Sequence, residues 1–406
     1  MNIWSRIRPI EMLAGMNTTT VRRMGAAAVL AAMLCGPAAA QQAPLKIGLI
    51  LPMTGPFAST GHQVDAAVRL YVAQNGSTVA GRKVEILLRD DTGVPDNTRR
   101  LAQELIANEK VAVLAGFGLT PLAFAVAPLI TQSKTPAVVM AAATSGIVAA
   151  SPYFVRTSVT LAQTASTMAQ WASKNGIKNV VTLVSDYGPG IDGESAFKER
   201  FEANGGKVMQ ALRVPLRDPD FAPFLQRVRD AAPQALFAFV PSGAGGTLVK
   251  QFTERGLDKA GIKLIGDGSV TDDDLLPTMS DSAIGAVTAF HYSAAHPGAA
   301  NRKFVDAFKA ANNGLRPNFM AVGGWDGMQV IYKAAAAARG QDGDALLAAM
   351  KGLTFESPRG PLLIDAQSRD VVHDIYVRRV ERVGAELYNV EFETFKSVKD
   401  PGRKAQ

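Results

Sequence analysis

The chain has 406 residues, a formal net charge of +7, 47% hydrophobic residues and a single cysteine. A length beyond one ordinary core predicts two domains, and one cysteine excludes a disulfide framework, a thiolate metal centre and a cysteine nucleophile in the exported part. The basic excess is dispersed, with Arg99-Arg100 and Arg378-Arg379 each offset by nearby acids, which excludes nucleic acid as a partner.

Residues 1–40 read as a signal peptide. Arg22 and Arg23 form the charged region, Met24 to Leu34 the apolar core, and Ala38-Ala39-Ala40 the small-residue site, with cleavage expected after Ala40. The apolar core is too short to stay as an anchor, and no other run approaches the roughly 20 residues a bilayer span needs. Cys35 follows Leu34 rather than a small residue, which argues against lipidation. The rest carries +4 (39 basic against 35 acidic residues) and no cysteine. Such a chain must be held by a large core, as suits a bacterial periplasmic domain.

Behind the signal, Ile47 to Leu51 is a short apolar run of the buried parallel-strand kind. Pro52, Thr54, Gly55 and Pro56 break it, and a helix pattern follows with Val64, Ala67, Val68 and Tyr71 on one face. That order puts the loop at the carboxyl end of a sheet, where open α/β sheets bind ligands. The rhythm continues with a strand at Val84–Arg89, a helix at Asn97–Glu109 capped by Asp96, and a strand at Val111–Ala115. Thr120-Pro121 reads as an N-cap with proline at the first helical position, opening a helix through Ile130, and Ala137–Ala141 is a further strand.

After Arg156 the pattern restarts. Helices are expected at Leu161–Lys174, Asp192–Gly205, Phe221–Ala232 and Gly246–Arg255. Strands are expected at Asn179–Ser185, Val208–Pro215, Ala235–Val240 and Lys263–Ile265. Two more helices, Asn301–Asn312 and Trp325–Arg339, precede a strand-like end with Pro361–Asp365 and Ile375–Val383. The alternation predicts an α/β fold with two parallel sheets covered by helices.

Four loops follow strands and carry small polar residues: Met53–Gly61, Gly116–Pro121, Ala142–Gly146 and Asp186–Gly193. Such a loop before a helix exposes free N–H groups backed by the helix dipole, a cradle for a carboxylate or phosphate, although any helix also needs ordinary capping. Thr120 can cap or hold a carboxylate, Thr144 with Ser145 can do likewise, and Tyr187 can close over a ligand or face solvent. Asp267 can meet a ligand amine or cap a helix near Asp272–Leu276. Asp272-Asp273-Asp274 lacks the spaced ligands of a calcium loop and reads as a solvated helix start. The histidines, His62, His291, His296 and His373, have no metal spacing. No GxSxG, P-loop or GxGxxG after the first strand occurs, so no cofactor and no enzyme activity are expected.

Several segments in this order, KIGLILPMTGPFASTG, RDDTGVPDNTRRLAQELI, VAVLAGFG, TPAVVMAAATS, YFVRT, VSDYGPG, GGWDGMQVIYKA and SPRGPLLID, make the chain similar to the periplasmic substrate-binding proteins of ABC importers, of the branched-chain amino-acid type. The resemblance runs from Lys46 to about Phe395. It implies two Rossmann-like lobes joined by three crossover strands, with a ligand cleft between them. Residues 45–158 with 293–350 would form lobe 1, residues 162–289 with 353–392 lobe 2, and residues 396–406 a flexible tail. It implies ligand-binding roles for Ser59, Thr60, Thr120, Ala142, Ala143 and Thr144 in the first lobe, and for Tyr187, Ser242, Asp267 and Ser269 in the second. In amino-acid binders an acid of the last loop receives the ammonium, and the alignment there falls on Asp267 or Gly268. Trp325-Asp326 stands where Tyr-Asp is usual, and GDGSVTDDDLLPTM with SPRGPLLID resembles subgroups that take aromatic or other small carboxylates. The implied partners are a small carboxylate and a membrane permease, the chain acting as a monomer. A periplasmic sensor subunit would share the fold.

Overall fold

Strand β1 (Leu45–Leu51) is apolar and buried almost throughout, which demands helices on both faces of its sheet. The structure, a computed structural model, describes residues 43–338 and 342–402. The expected signal peptide and its cleavage site lie outside the described residues.

The first sheet contains β2 (Thr78–Val79), β3 (Arg82–Asp90), β4 (Val113–Gly116), β5 (Ala137–Val139) and β6 (Phe154–Arg156), in the order β2-β3-β1-β4-β5-β6. All pairings are parallel except the β2–β3 hairpin. Its helices are α1 (Ala58–Asn75), α2 (Pro95–Ala107), α3 (Thr120–Ser133) and α4 (Ile147–Ala150). Helix α2 starts earlier than expected: Val94 is its N-cap and Pro95 opens the first turn, so Asp96 is not the cap.

The second lobe begins at α5 (Leu161–Lys174), fixed by a capping box between Thr160 and Gln163. It continues through β7 (Asn179–Ser185), α6 (Gly188–Ala203), β8 (Lys207–Val214), α7 (Ala222–Ala231), β9 (Ala235–Phe239), α8 (Gly245–Glu254), β10 (Lys263–Asp267) and β11 (Val287–Phe290). Helices α9 (Ala299–Ala311) and α10 (Phe319–Ala337) return to pack on α1, and α11 (Gly343–Met350) follows. Strands β12 (Thr354–Ser357), β13 (Gly360–Ile364), β14 (Val371–Val383) and β15 (Glu386–Val398) complete the second sheet, in the order β12-β13-β14-β11-β10-β9-β7-β8 with β15 on β14. The chain passes between the lobes after β6, after β11, and between α11 and β14.

Two details differ from the expectation. Strands β12 and β13 hydrogen-bond into the second sheet, yet Phe355, Leu362, Ile364 and Val371 pack in the core of the first. The segment from 396, expected as a tail, belongs to β15 as far as Val398, and Asp400 accepts hydrogen bonds from Ser145 and Thr160. Among the described residues, no helix is long and apolar enough to cross a membrane.

Candidate functional site

The carboxyl ends of both sheets face each other across a cleft, as the strand–loop–helix order requires. The first lobe brings Thr60 from α1, Gly118 to Thr120 from the β4–α3 turn, and Ala141 to Ala143 from the segment after β5. Phe117 shapes that turn: its φ of 65° reverses the backbone after β4, while its ring stays buried against Phe154. A left-handed backbone at a bulky residue costs on the order of 1–3 kcal/mol. Here it is held by Phe117 N donating to Ile50 O and by Ala142 N donating to Phe117 O, at 3.0 Å each.

The second lobe brings Tyr187 and Pro189 at the amino end of α6, Pro241 and Ser242 after β9, and Asp267 and Ser269 after β10. Between the two sets lies a space of about 530 Å³ including its mouth. Its walls are apolar. Tyr187 stacks on Phe239 at 6.0 Å, Phe290 meets Phe319 edge-on at 4.7 Å, and Phe57, Val159, Leu161 and Met320 fill the rest.

Helices α3 and α6 start at this space with Leu119–Thr120 and Tyr187–Pro189, and α1, α5 and α10 also begin at it with Phe57, Leu161 and Phe319, so it sees several positive dipole ends and N–H groups without intrahelical acceptors. Among the described lining residues there is no Lys, Arg or His, and Asp267 is the one charged type. Asp267 is fully buried. Its Oδ1 accepts from Ser269 N (2.9 Å) and Ser269 Oγ (2.7 Å), and its Oδ2 from Thr164 Oγ1 (2.7 Å). Burial pushes its carboxyl above the ordinary range, and those hydrogen bonds pull partly back. Burial also raises the Tyr187 phenol, with the Asp267 charge adding to it.

Of the ten residues expected at the site, Thr60, Thr120, Ala142, Ala143, Tyr187, Ser242, Asp267 and Ser269 line this one space. Ser59 does not. It is exposed on α1 and donates across the lobes to Asp274 Oδ2 at 3.2 Å. Thr144 stands one layer back, its hydroxyl 2.8 Å from that of Thr120. Thr120 is not the cap of α3, because Leu119 holds that position and Thr120 opens the helix. Asp267 is a cap, but of the short 3-10 turn Gly268–Thr271 rather than of a helix at Asp272.

The acidic run is the largest departure. Asp272 and Asp273 are buried rather than solvated. Ser242 and Asn318 donate to Asp272, Arg378 and Asn389 to Asp273, and Gln63 with Ser59 to Asp274. These partners lie far away in sequence, so local pattern carried no sign of them. Of the aromatic walls, Tyr187 was expected, but Phe239 and Phe290 were missed for a related reason, since an apolar residue at a strand end reads as core. Trp325 packs on Tyr71 and Phe304, and Asp326 pairs with Arg359 at 2.8 Å, both away from the lining. No group of three or more His, Cys, Asp or Glu able to hold a metal occurs among the described residues.

A family model described as periplasmic binding protein matches residues 44–385. The chain is 43% identical over 382 residues to Leu/Ile/Val-binding protein homolog 6 of Brucella melitensis, covering 93% of this chain and 98% of the relative. A solved solute-binding protein of an ABC transporter from Rhodopseudomonas palustris BisB5, in complex with 3,4-dihydroxybenzoic acid, is 59% identical with a TM-score of 0.86, over 88% of this chain and 99% of that one. Another from R. palustris, in complex with 4-hydroxybenzoate, is 40% identical with a TM-score of 0.85, over 89% and 99%. The two-lobed fold, the cleft and these relationships together place this chain in the periplasmic binding protein family, among solute-binding proteins of ABC transporters.

Proposed function

We propose that the chain captures a small aromatic carboxylate in the periplasm by closing its two lobes, and delivers it unchanged to the membrane permease of an ABC importer. The observation that carries this reading is the cleft itself: flat aromatic walls, several helix amino ends, the hydroxyls of Thr60 and Thr120, and no basic side chain among the described lining residues. A carboxylate is held well by neutral N–H and O–H donors at helix starts. Tyr187 and Phe290 both line the space, and an aromatic ring packs on such side chains without needing a polar partner. The dihydroxybenzoate and hydroxybenzoate complexes of the relatives support the same class.

A second reading is a branched-chain amino acid, favoured by the buried acid at Asp267 and by the naming of the Brucella relative. Against it, Asp267 already takes three hydrogen bonds inside its own lobe. In either case, ligand contacts from both lobes bias an open–closed equilibrium toward closure. The protein works as a monomer after cleavage following Ala40, and releases the ligand without turnover.

Titration calorimetry with benzoate, 4-hydroxybenzoate, 3,4-dihydroxybenzoate, leucine and valine tests the reading, with the ligand recovered and its mass checked. Micromolar binding, about −8 kcal/mol, is expected for an aromatic acid. Binding of leucine or valine with silence toward every benzoate would overturn it, and a changed mass would show turnover.

A further inference from the structure

We infer that residues 399–402, after β15, act as a strap that holds the two ligand-facing segments in register, with Asp400 as a positioning residue for the Thr144 loop. The inference rests on the reading of the cleft as a carboxylate site. Asp400 Oδ1 accepts from Ser145 Oγ at 2.9 Å, from Thr160 Oγ1 at 3.1 Å and from Gly402 N at 3.0 Å. Ser145 follows Thr144, whose hydroxyl meets Thr120 at the cleft. Thr160 is the N-cap of α5, and that helix presents Leu161 to the cleft and Thr164 to Asp267. One carboxylate therefore ties a first-lobe ligand loop to the start of the second lobe's helix.

Three further contacts hold the strap and the loop it grips. Gln163 Nε2 donates to Val398 O at 2.9 Å, so the backbone leaving β15 is gripped by the same capping box. Ser145 N donates to Asp192 Oδ2 at 2.8 Å, which holds the loop from α6 as well. Gly402 lies flush on Ser145, where an added methyl would overlap Ser145 Oγ. The Thr144 loop is thus held from the first lobe, from α6 and from the strap, and none of the strap's residues lines the cleft.

The test uses the whole chain with 3,4-dihydroxybenzoate as probe. Asp400→Ala should raise the dissociation rate 5- to 50-fold, with the melting temperature of the ligand-free protein nearly unchanged. It should also speed amide exchange at 142–146 without ligand. Asp400→Asn, which keeps an acceptor oxygen, should restore most of the slow release. Ser145→Ala should reproduce the effect, and combining it with Asp400→Ala should add little. A dissociation rate within twofold of wild type for both single variants, with exchange at 142–146 unaltered, would sink the strap. So would a lowered melting temperature alone. If wild type ignores every benzoate, the ligand reading fails, and the exchange rates still decide the strap.

Discussion

Thr120 and Thr144 meet hydroxyl to hydroxyl at 2.8 Å, each from a loop at the carboxyl end of one of two adjacent parallel strands, β4 and β5. Both are buried, and a pair of hydroxyls has two protons for one mutual bond. One proton is therefore free to be donated elsewhere, and when Thr144 donates within the pair the free one belongs to Thr120, which lines the cleft. Thr120→Ala should weaken an aromatic carboxylate by about 1–3 kcal/mol, the loss of a hydrogen bond to a charged group. Thr144→Ala should cost less, and the double variant less than the two single losses together, because the residues share one network. Calorimetry on the three variants checks this, and additive losses would mean that the pair does not act as a unit.

Gly188 stands where the second lobe presses on that pair. A methyl at its position would overlap Thr144 Oγ1 and lie 3.4 Å from Thr120 Cγ2. Gly188→Ala should therefore oppose closure and leave each lobe's own core intact. The expected outcome is at least a tenfold loss of affinity with a ligand-free melting temperature within about 2 °C of wild type. Small-angle scattering should show less compaction on adding ligand than wild type shows.

How much of this was legible in the sequence follows from the range of the interactions involved. The strand–helix alternation is written locally: β7 at Asn179–Ser185 and α5 at Leu161–Lys174 fall where periodicity and caps put them. Eight of the ten expected site residues share one cleft because each lies in a strand–loop–helix connection at the carboxyl side of a sheet, at a strand end, in the loop or in the first turn of the helix that follows. Asp272 and Asp273 went the other way. An acidic run looks solvated until Arg378, a hundred residues later, donates to Asp273 from β14. The same limit hides Phe239 and Phe290, whose burial as cleft wall is indistinguishable in sequence from burial as core. Asp400 fell within the expected tail because its partners, Ser145 and Thr160, lie 255 and 240 positions earlier.

Asp326 and Arg359 form an ion pair with both side chains fully buried, Nε to Oδ2 at 2.8 Å. Arg359 also donates to Thr157 O and to His373 Nδ1, at 2.5 and 2.9 Å. The pair thus joins α10, the β12–β13 turn and the segment leaving β6. Removing one partner leaves the other charge buried alone, which costs about 3–5 kcal/mol. Asp326→Ala should lower the stability measured by urea unfolding by that amount. Asp326→Leu with Arg359→Met should recover a good part of it, since two apolar side chains need no compensation. A loss below about 1 kcal/mol for Asp326→Ala would show that water reaches the guanidinium.

His291 and His373 sit 5.4 Å apart, ring to ring, inside the region where the lobes are joined. Arg359 can only donate, so His373 Nδ1 must accept, which puts its proton on Nε2 facing Gln163 Oε1 at 3.3 Å. Both nitrogens of His291 are buried without a hydrogen-bond partner. Burial, then the Arg359 charge, holds both imidazoles well below the ordinary value of 6.5. For His291, His373 and Arg378 add to the same shift. The unfolded chain takes up these protons as pH falls past that value and the folded chain does not. Their contribution to stability is therefore present at neutral pH and is lost as pH drops below about 6.5, by up to about 1.4 kcal/mol per pH unit for each histidine. The buried acids, Asp267 and Asp272 among them, have raised values and work with the opposite sign. Comparison of wild type with His291→Phe separates the two effects, because those acids are common to both. Urea unfolding between pH 7.5 and 5.5 should show the variant losing less stability on acidification, by up to one proton's slope. Equal slopes in the two proteins would mean that His291 takes up its proton in the folded state as readily as in the unfolded one.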